Sequence, residues 1–269
     1  MANDRYDFAV ALAHKAGNLG MEYFRRLDTL TITSKGHQDL VSEADRDVET
    51  LVRKEIAAVF PDDGIVGEEY GTVEGTSGYT WVIDPIDGTA NFVSGIPQWC
   101  VILACVRGDE TVIGVIREPN TGETFRAALG RGAYVNDRKI AASSSTSVAV
   151  GSTGVGFNGR TAATDVVNAV GALISKGGIF FRNASGGLML AYAASGRLIG
   201  YIEPHMNSWD CLAGMLIAAE AGNRMEAVNI PHAVHHGCRV VVGAPGVYDE
   251  LKMIADTSFA PLPEKYSAA

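Results

Sequence analysis

Hydrophobic side chains recur every three to four residues in two segments near the start of the chain. In residues 4–26 the recurring positions are Phe8, Leu12, Ala16, Leu19 and Tyr23. In residues 43–59 they are Val48, Leu51, Val52, Ile56 and Val59. Because this spacing puts apolar side chains on one face of an α-helix, the sequence predicts two amphipathic helices, with a short strand at TLTITS between them.

From residue 79 the pattern changes to short β-branched runs separated by turn residues. The runs are YTWVID, WCVILACV, TVIGVIREP and ETFRAALG, and their hairpin-length connections predict a mostly antiparallel sheet. The rest of the chain predicts helices over 161–176, 186–196, 208–221 and 245–256, and strands over 198–203 and at RVVVGA.

The composition of the 269 residues is that of a globular protein, with 47% hydrophobic and 20% charged residues. The formal net charge of −9 argues against direct binding of nucleic acid, which uses clustered Lys and Arg. No apolar run approaches the ~20 residues of a membrane span, and MANDRYDFAV lacks the basic start of a signal peptide. We therefore expect a cytoplasmic protein with no membrane partner, and four reduced cysteines, Cys100, Cys105, Cys211 and Cys238.

The segment WVIDPIDGTANF, residues 81–92, places two carboxylates at the end of an apolar run. Pro85 fixes its own φ and lacks an N–H group, so we expect the chain to leave the sheet there. Asp84 and Asp87 can then converge on one point, with the carbonyl of Ile86 facing the same way. Oxygen-only ligands of this kind select hard cations such as Mg²⁺. The alternative is a solvated, aspartate-rich turn, which the other carboxylates of the chain disfavour.

Gly88 and Thr89 follow the second of these aspartates. Glycine permits a tight turn, and TANF predicts a short helix after it. The free N–H groups at the start of a helix suit a phosphate.

Two other segments bring acidic side chains to the N-terminal half. GIVGEEY places Glu68 directly after a short apolar strand, where a surface acid is less expected. DLVSEADRDVE places Asp39 and Asp45 near the start of the second helix. Asp39 could equally be a loop residue. Ser42 and Asp45 have the spacing of a capping box, so a structural and a functional role for Asp45 both stay open.

The last acidic candidate is Asp210, in the first turn predicted for NSWDCLAGMLIAAEAG. A capping or helix-dipole role is one interpretation. The bulky neighbours Trp209, Cys211 and Leu212 favour the other, in which Asp210 points inward and needs a cation.

WVIDPIDGTANF resembles the signature of the inositol monophosphatase family, and NSWDCLAGMLIAAEAG resembles that family's second, C-terminal signature. The spacing of KGHQDLVSEAD and of GEE fits the same family, so the resemblance spans almost the whole chain. It implies an α+β fold, the layered αβαβα sandwich of the inositol monophosphatase/fructose-1,6-bisphosphatase type, and a homodimer.

The resemblance also implies two or three Mg²⁺ ions per subunit. The implied ligands are Glu68, Asp84, Asp87, Asp210 and the carbonyl of Ile86. Glu68 and Thr89 would orient a metal-activated water, and Asp45 would hydrogen-bond Thr89. The water would attack the phosphate in line without a covalent phosphoenzyme, while the N–H groups of Gly88 and Thr89 neutralise developing charge.

A further set of residues is implied to contact the substrate. It consists of Asp87, Gly88, Thr89, Ser185, Gly186, Glu203 and Asp210. Ser185 and Gly186 lie in NASGG, which matches the family segment whose backbone lines the pocket, and Glu203 matches the acid that contacts a substrate hydroxyl. The chain departs from many relatives at Ala184, which replaces Gly, at Met189 and Ile199, which replace Asp, and at Leu212, which replaces a small residue.

The serine-rich stretch SSSTS, residues 143–147, is the most plausible junction within the chain. We expect an N-terminal α+β lobe over residues 1–145, with most of the metal ligands, and a C-terminal α/β lobe over residues 146–269, with Glu203 and Asp210. The two lobes should form one compact unit.

The histidines of the C-terminal half give weaker signals. His232, His235 and His236 cluster in NIPHAVHHGC, where we expect an exposed loop. His205, two residues after Glu203, could face the pocket, or could equally lie in the core or in a loop.

The sequence thus predicts a Mg²⁺-dependent, lithium-sensitive phosphomonoesterase of a small sugar-like phosphate, with myo-inositol 1-phosphate as the first candidate. Histidinol phosphate, 3′-phosphoadenosine 5′-phosphate and fructose 1,6-bisphosphate are alternatives within the family. From another class of function, the protein could be a protein-binding partner of the transcription machinery, because a bacterial relative has that role.

Overall fold

The computed structural model describes residues 2–29, 32–36 and 39–261 of the chain. The α-helices in these ranges are α1 (Ala2–Phe24), α2 (Glu43–Val59), α3 (Thr89–Val93), α4 (Ala163–Ser175), α5 (Gly186–Ala194), α6 (Ser208–Glu220), α7 (Ile230–His236) and α8 (Tyr248–Ser258). A short 3-10 turn, Leu27–Thr29, follows α1. The first two helices are the amphipathic helices that the sequence predicts, and α2 has the predicted bounds.

The strands of the described residues form three sheets. They are β1 (Ile32–Gly36), β2 (Asp39–Ser42), β3 (Gly64–Gly67), β4 (Gly71–Val73), β5 (Tyr79–Asp87), β6 (Cys100–Arg107), β7 (Glu110–Glu118), β8 (Glu123–Ala128), β9 (Ala133–Val135), β10 (Arg138–Lys139), β11 (Ser152–Val155), β12 (Ile179–Phe181), β13 (Gly200–Met206), β14 (Arg224–Met225) and β15 (Cys238–Gly243). The side chain of Asp39, in β2, lies outside the described residues.

One sheet has eight strands in the order β10-β9-β8-β7-β6-β5-β3-β4, and another has five in the order β12-β11-β13-β15-β14. Strands β1 and β2 pair only with each other. The large sheet is antiparallel except where β3 pairs with β5. This pairing places the end of β3, just before Glu68, beside the end of β5, which carries Asp84.

Helices and sheets alternate in five layers. Helices α1 and α2 cover the outer face of the eight-stranded sheet around Trp81, Ile83 and Leu103. Helices α5 and α6 lie between the two sheets, and α4 and α8 cover the outer face of the five-stranded sheet. The molecule is therefore a layered αβαβα sandwich, and the fold prediction is confirmed. The central core joins both sheets, and a division into lobes at residue 145 stays a prediction.

Three local predictions were wrong. The chain does not leave the sheet at Pro85, because β5 continues to Asp87, opposite Cys100, after an irregular register. Glu203 does not end its strand, since β13 runs on to Met206. The segment 230–236 is a helix, not a loop: the Asn229 side chain accepts from the N–H of His232 at 3.1 Å and caps it. A helix of two turns is too short to show hydrophobic periodicity.

Candidate metal and active site

Three carboxylates from two distant parts of the chain meet between the sheets. Asp84 and Asp87 come from the end of β5, and Asp210 comes from the first turn of α6. Each offers an oxygen within 4.8 Å of the other two. Among the described residues, this is the one group of three or more acidic, His or Cys side chains close enough to hold a metal.

Burial and mutual repulsion favour the protonated form of these carboxyl groups. Burial, and then the charges of Glu68 and Asp87, raise the pKa of Asp84 well above its ordinary value. Burial and then the charge of Asp87 raise the pKa of Asp210 to about 7. Two buried carboxylates and a third, partly buried one at this separation destabilise the protein unless a cation is present. Their all-oxygen donor set fits a hard divalent cation.

Glu68 approaches the cluster from the end of β3. Its backbone N–H donates to the carbonyl of Ile83 at 3.3 Å, one residue before Asp84. Its carboxylate exerts the largest charge effect of any neighbour on Asp84. Glu68 is only partly buried and does not belong to the group of three, so it lies beside the cluster.

Asp45 caps α2 and also contacts Thr89, so its capping role is shown and its catalytic role stays a prediction. One carboxylate oxygen accepts from the N–H and the hydroxyl of Ser42 at 2.8 and 2.6 Å, completing the capping box of α2. The other oxygen lies 3.1 Å from the hydroxyl of Thr89. That hydroxyl also lies 3.0 Å from the carbonyl of Ile86. The arrangement fixes the Thr89 side chain at the turn that follows Asp87.

The turn itself depends on Gly88. Its φ is 93°, a left-handed conformation that L-residues rarely adopt. A Cβ at this position would lie 3.0 Å from the carbonyl oxygen of Gln98 and 3.3 Å from the Cβ of Ser185. Helix α3 then starts at Thr89, as predicted. Phosphate contacts by the N–H groups of Gly88 and Thr89 stay a prediction.

Asp87 joins the eight-stranded sheet to the start of α5. It accepts from the hydroxyl of Ser185 at 2.5 Å and from the N–H groups of Gly187 at 2.8 Å and Gly186 at 3.2 Å. Burial raises the pKa of Asp87, and these hydrogen bonds oppose the rise. Ser185 is fully buried with its hydroxyl on Asp87, whereas Gly186 lines the adjoining cavity. Substrate contacts of Ser185 and Gly186 stay predictions.

A cavity of about 140 Å³ opens directly beside Asp87 and Asp210, and Glu203 forms part of its wall. Glu203 is almost fully buried. It accepts a hydrogen bond from Tyr201 and another, at 2.8 Å, from the side-chain amide of Asn158. The structure therefore brings Glu203 next to the carboxylate cluster, although the two are on different elements.

Two arginines and Asn158 were missed by the sequence interpretation. Arg160 and Arg182 line the same cavity, and an Arg160 nitrogen lies 3.9 Å from a carboxylate oxygen of Asp210. Asn158 holds the Arg160 backbone, accepting from its N–H at 3.0 Å. No local pattern indicates these contacts, because residues 157–161 follow a strand as irregular chain. Tyr201 could have been found, since it shares a strand face with Glu203 two positions later.

Glu49 is a further residue that the sequence interpretation missed. It is fully buried and accepts from the N–H groups of Glu69 at 2.8 Å and Tyr70 at 3.2 Å, and from Arg53 at 2.7 Å. It therefore holds the turn that begins with Glu68. The signal in the sequence that could have identified Glu49 was its position on the apolar face of α2, one residue after Val48.

The departures from the family pattern have different locations. Ala184 has a φ of 61°, which explains why glycine suits this position. Met189 is buried and lines the cavity. Ile199 is buried in the outer C-terminal core, and Leu212 is buried in the central core. His205 is fully buried, with a ring nitrogen 2.8 Å from the carbonyl of His236, which decides for the core position.

A larger cleft of about 490 Å³ lies away from the carboxylates. It is lined by residues of α7, β15 and the end of α8, including His232, Cys238 and Arg239. His235 and His236 are exposed, while His232 is partly buried. In the described part of the chain, no helix is both long and apolar enough to cross a membrane.

A layered sandwich with a carboxylate cluster between its sheets has well-defined relatives. The model of the inositol monophosphatase family matches residues 1–260. The chain belongs to this family.

Individual relatives are named either SuhB or IMPase. The curated Nus factor SuhB of Xylella fastidiosa is 33% identical over 266 residues, which cover 96% of each chain. The solved structure of the extragenic suppressor protein suhB from Bartonella henselae has a TM-score of 0.86 at 27% identity, covering 94% of this chain and 98% of that one. The IMPase of Thermotoga maritima has a TM-score of 0.84 at 28% identity, covering 95% and 98%.

Proposed function

We propose that the protein is a Mg²⁺-dependent phosphomonoesterase of a small sugar-like phosphate, with myo-inositol 1-phosphate as the first candidate. The observation that carries the proposal is the position of Asp84, Asp87 and Asp210. Their oxygens lie within 4.8 Å of one another, and Asp87 and Asp210 line a small cavity. Without a cation this cluster would repel a phosphate ester, and with one it would attract it.

The residues that would hold two or three Mg²⁺ ions are Glu68, Asp84, Asp87, Asp210 and the carbonyl of Ile86. Bound Mg²⁺ supplies positive charge that offsets the carboxylate repulsion, draws in the phosphate and acidifies water.

The chain's own groups then orient the attacking water. A hydroxyl has one proton, and when Thr89 donates it to Asp45 its lone pairs face outward as acceptors. A water that donates to Thr89 and to Glu68 would be held between these two acceptors. As the water oxygen attacks phosphorus in line and the alcohol leaves, Glu68 can take the water proton directly, or Asp45 can take it through the Thr89 hydroxyl. No covalent phosphoenzyme is involved.

The cavity wall would select the leaving group. Glu203 is a buried acceptor with two donors already in place, from Tyr201 and Asn158. Its remaining lone pairs suit the hydroxyl groups of a polyol. The cavity volume of about 140 Å³ favours a small leaving group. Histidinol phosphate, 3′-phosphoadenosine 5′-phosphate and fructose 1,6-bisphosphate are the alternatives to be compared with inositol phosphates.

The decisive experiment measures phosphate release from this panel of esters, with Mg²⁺ and with chelator. We expect release from one class of ester to dominate, to vanish with chelator and to fall at high lithium concentration. Asp84→Asn should lose activity on every ester. If Asp84→Asn retained wild-type activity, or if chelator left the rates unchanged, the proposal would fail.

We also propose a homodimer, built on an exposed apolar surface of β12 and α4. Strand β12 is an edge strand, and its Ile179 and Phe180 are 64% and 46% exposed. Val167 and Ile174 of α4, which packs on β12, are 66% and 56% exposed. Apolar surface of this kind usually marks an interface. Light scattering should give twice the chain mass, and Phe180→Lys should reduce it to the monomer.

A second candidate function follows from the name of the Xylella fastidiosa relative, Nus factor SuhB. In this role the chain would bind a protein of the transcription machinery. The test is comigration of the purified protein with purified RNA polymerase and its elongation factors. Asp84→Asn, which removes the proposed activity, should still comigrate if binding is a separate function.

A further inference from the structure

Two of the four cysteines lie in contact, although 27 positions separate them in the chain. Cys211 is in the first turn of α6, one residue after Asp210, and Cys238 is the first residue of β15. Their sulfur atoms are 3.8 Å apart, and all four cysteines are free thiols. A disulfide has an S–S distance of about 2.05 Å, so the two sulfurs need to move about 1.7 Å closer to bond.

The pair differs from the other two cysteines in access. Cys238 is partly buried and lines the 490 Å³ cleft between α7, β15 and α8. Cys211 is fully buried behind it. Cys100 and Cys105, by contrast, are fully buried and do not line the cleft, and Cys105 lies in the core between the eight-stranded sheet and α1 and α2. A small oxidant that enters the cleft therefore meets Cys238 first, with a second thiol directly behind.

The two sulfurs do not form part of a metal centre. Within the described residues, the only group of three or more potential ligands is that of Asp84, Asp87 and Asp210. Two thiols in contact, one of which is reachable from a cleft, can be oxidised to a disulfide.

We propose that Cys211 and Cys238 are an oxidisable pair, which a peroxide entering the cleft converts into an intramolecular disulfide. The Cys238 sulfur attacks one peroxide oxygen, forming an S–O bond as the O–O bond breaks. The peroxide is reduced to water, or to an alcohol for an alkyl peroxide, and Cys238 becomes a sulfenic acid. The Cys211 sulfur then attacks the Cys238 sulfur. The S–S bond forms, the S–O bond breaks, and the hydroxyl group leaves as water with the Cys211 proton.

The cross-link acts on the metal site through one peptide bond. Cys211 directly follows Asp210, so pulling its sulfur toward β15 shifts the turn of α6 that carries the carboxylate. Asp210 also accepts from the N–H of Asn207 at 3.2 Å, which ties it to the same turn. This consequence rests on the proposed function, in which Asp210 holds Mg²⁺. Disturbing the support of a metal ligand weakens metal affinity about 10-fold or more.

The test treats the purified full-length protein with hydrogen peroxide and measures its intact mass and a peptide map after thiol blocking. We expect a loss of two hydrogen atoms per chain, a linked pair of peptides containing Cys211 and Cys238, and reversal by dithiothreitol. Cys238→Ser should show no such loss, while Cys105→Ser should behave as wild type. A sulfinic acid at Cys238 without a linked peptide, or a linkage that includes Cys100 or Cys105, would overturn the assignment.

The second measurement is the Mg²⁺ concentration that gives half of the maximal increase in the thermal midpoint, for the reduced and for the oxidised protein. We expect oxidation to raise it about 10-fold in wild type and to leave it unchanged in Cys238→Ser. An oxidised protein with the reduced protein's Mg²⁺ response would refute the link to Asp210. The mass and the peptide map detect the cross-link in the absence of metal. If Mg²⁺ failed to stabilise even the reduced protein, that result would count against the proposed function and not against the cross-link.

Discussion

The carboxylate of Glu49 occupies the space that a side chain at Gly67 would need. A Cβ on Gly67 would lie 2.1 Å from a Glu49 carboxylate oxygen and 2.7 Å from a guanidinium nitrogen of Arg53. The same carboxylate accepts from the N–H groups of the two residues after Glu68. Gly67 thus allows a buried acid from α2 to hold the turn that carries a proposed metal ligand.

Gly67→Ala should be destabilising, because its Cβ would push the Glu49 carboxylate away from the N–H groups of Glu69 and Tyr70. We expect a loss of about 1–3 kcal/mol in the free energy of unfolding, measured with urea. In Glu49→Ala the space is open, so Gly67→Ala should cost less in that background. Equal costs in both backgrounds would contradict the packing relationship.

Glu49→Gln should weaken Mg²⁺ binding as well as stability. An amide offers one acceptor oxygen where the carboxylate serves three donors, so a buried N–H loses its partner at about 1–3 kcal/mol. The turn at Glu68 loosens, and the Mg²⁺ affinity should fall about 10–100-fold.

Glu55→Gln is the matched control for Glu49→Gln. Glu55 lies on the same helix and pairs with Lys15 at 2.8 Å on the surface. Its loss should change stability by about 0–1 kcal/mol and leave Mg²⁺ binding unchanged. A Glu49→Gln protein with wild-type Mg²⁺ affinity would limit Glu49 to a structural role.

Asp84→Asn should raise the thermal midpoint of the metal-free protein and remove the stabilisation by Mg²⁺. The asparagine oxygen can still accept from the N–H of Ile86 at 3.0 Å, while one like charge leaves the buried cluster. Each kcal/mol gained corresponds to about 2–4 °C for a chain of this size. Differential scanning fluorimetry with and without Mg²⁺ measures both effects. A fall in the metal-free midpoint would show that repulsion at Asp84 is unimportant.

Asp63→Asn should have the opposite effect, because this buried aspartate has a cationic partner. Burial raises the pKa of Asp63, but hydrogen bonds from Arg5, Ser77 and Trp81 outweigh it and the pKa is lowered. A lowered folded pKa stabilises the protein above the ordinary value of about 3.9, and this stabilisation disappears as the pH falls through the folded value. Asp63→Asn should therefore lose about 1–3 kcal/mol at neutral pH, measured by urea unfolding. The difference from wild type should narrow below about pH 4, and a constant difference down to pH 2 would be inconsistent with this linkage.

Glu203→Gln should discriminate between substrates. A charged hydrogen bond to a substrate hydroxyl contributes about 1.5–3 kcal/mol, so kcat/KM for polyol phosphates should fall about tenfold or more. p-Nitrophenyl phosphate offers no hydroxyl there and should change little. Tyr201→Phe, which removes a donor to Glu203 but keeps its charge, should retain the preference for polyol phosphates. Equal losses on both substrates would reject a selectivity role for Glu203.

The sequence by itself determined the elements and the carboxylate motif. Helix α2 and strands β6 to β8 follow from the spacing of their apolar residues, since that spacing is set by the local geometry of each element. The segment around Asp84 and Asp87 could be identified as a site because an apolar strand, a proline and a Gly88 turn fall within a few residues. The sequence could not separate the two interpretations of Asp45; the structure shows the cap of α2 and the contact with Thr89, and the catalytic role stays a prediction.

Only the tertiary structure decided which distant groups meet. Ser185, Gly186 and Gly187 donate to Asp87 across about a hundred positions, and Glu49 reaches the turn at Glu68 from another element. Cys211 and Cys238 come into contact because β15 starts beside the first turn of α6. These contacts depend on how sheets and helices stack, and stacking is decided by burial summed over the whole chain. A local pattern records which face of an element is apolar, but not which partner will cover it.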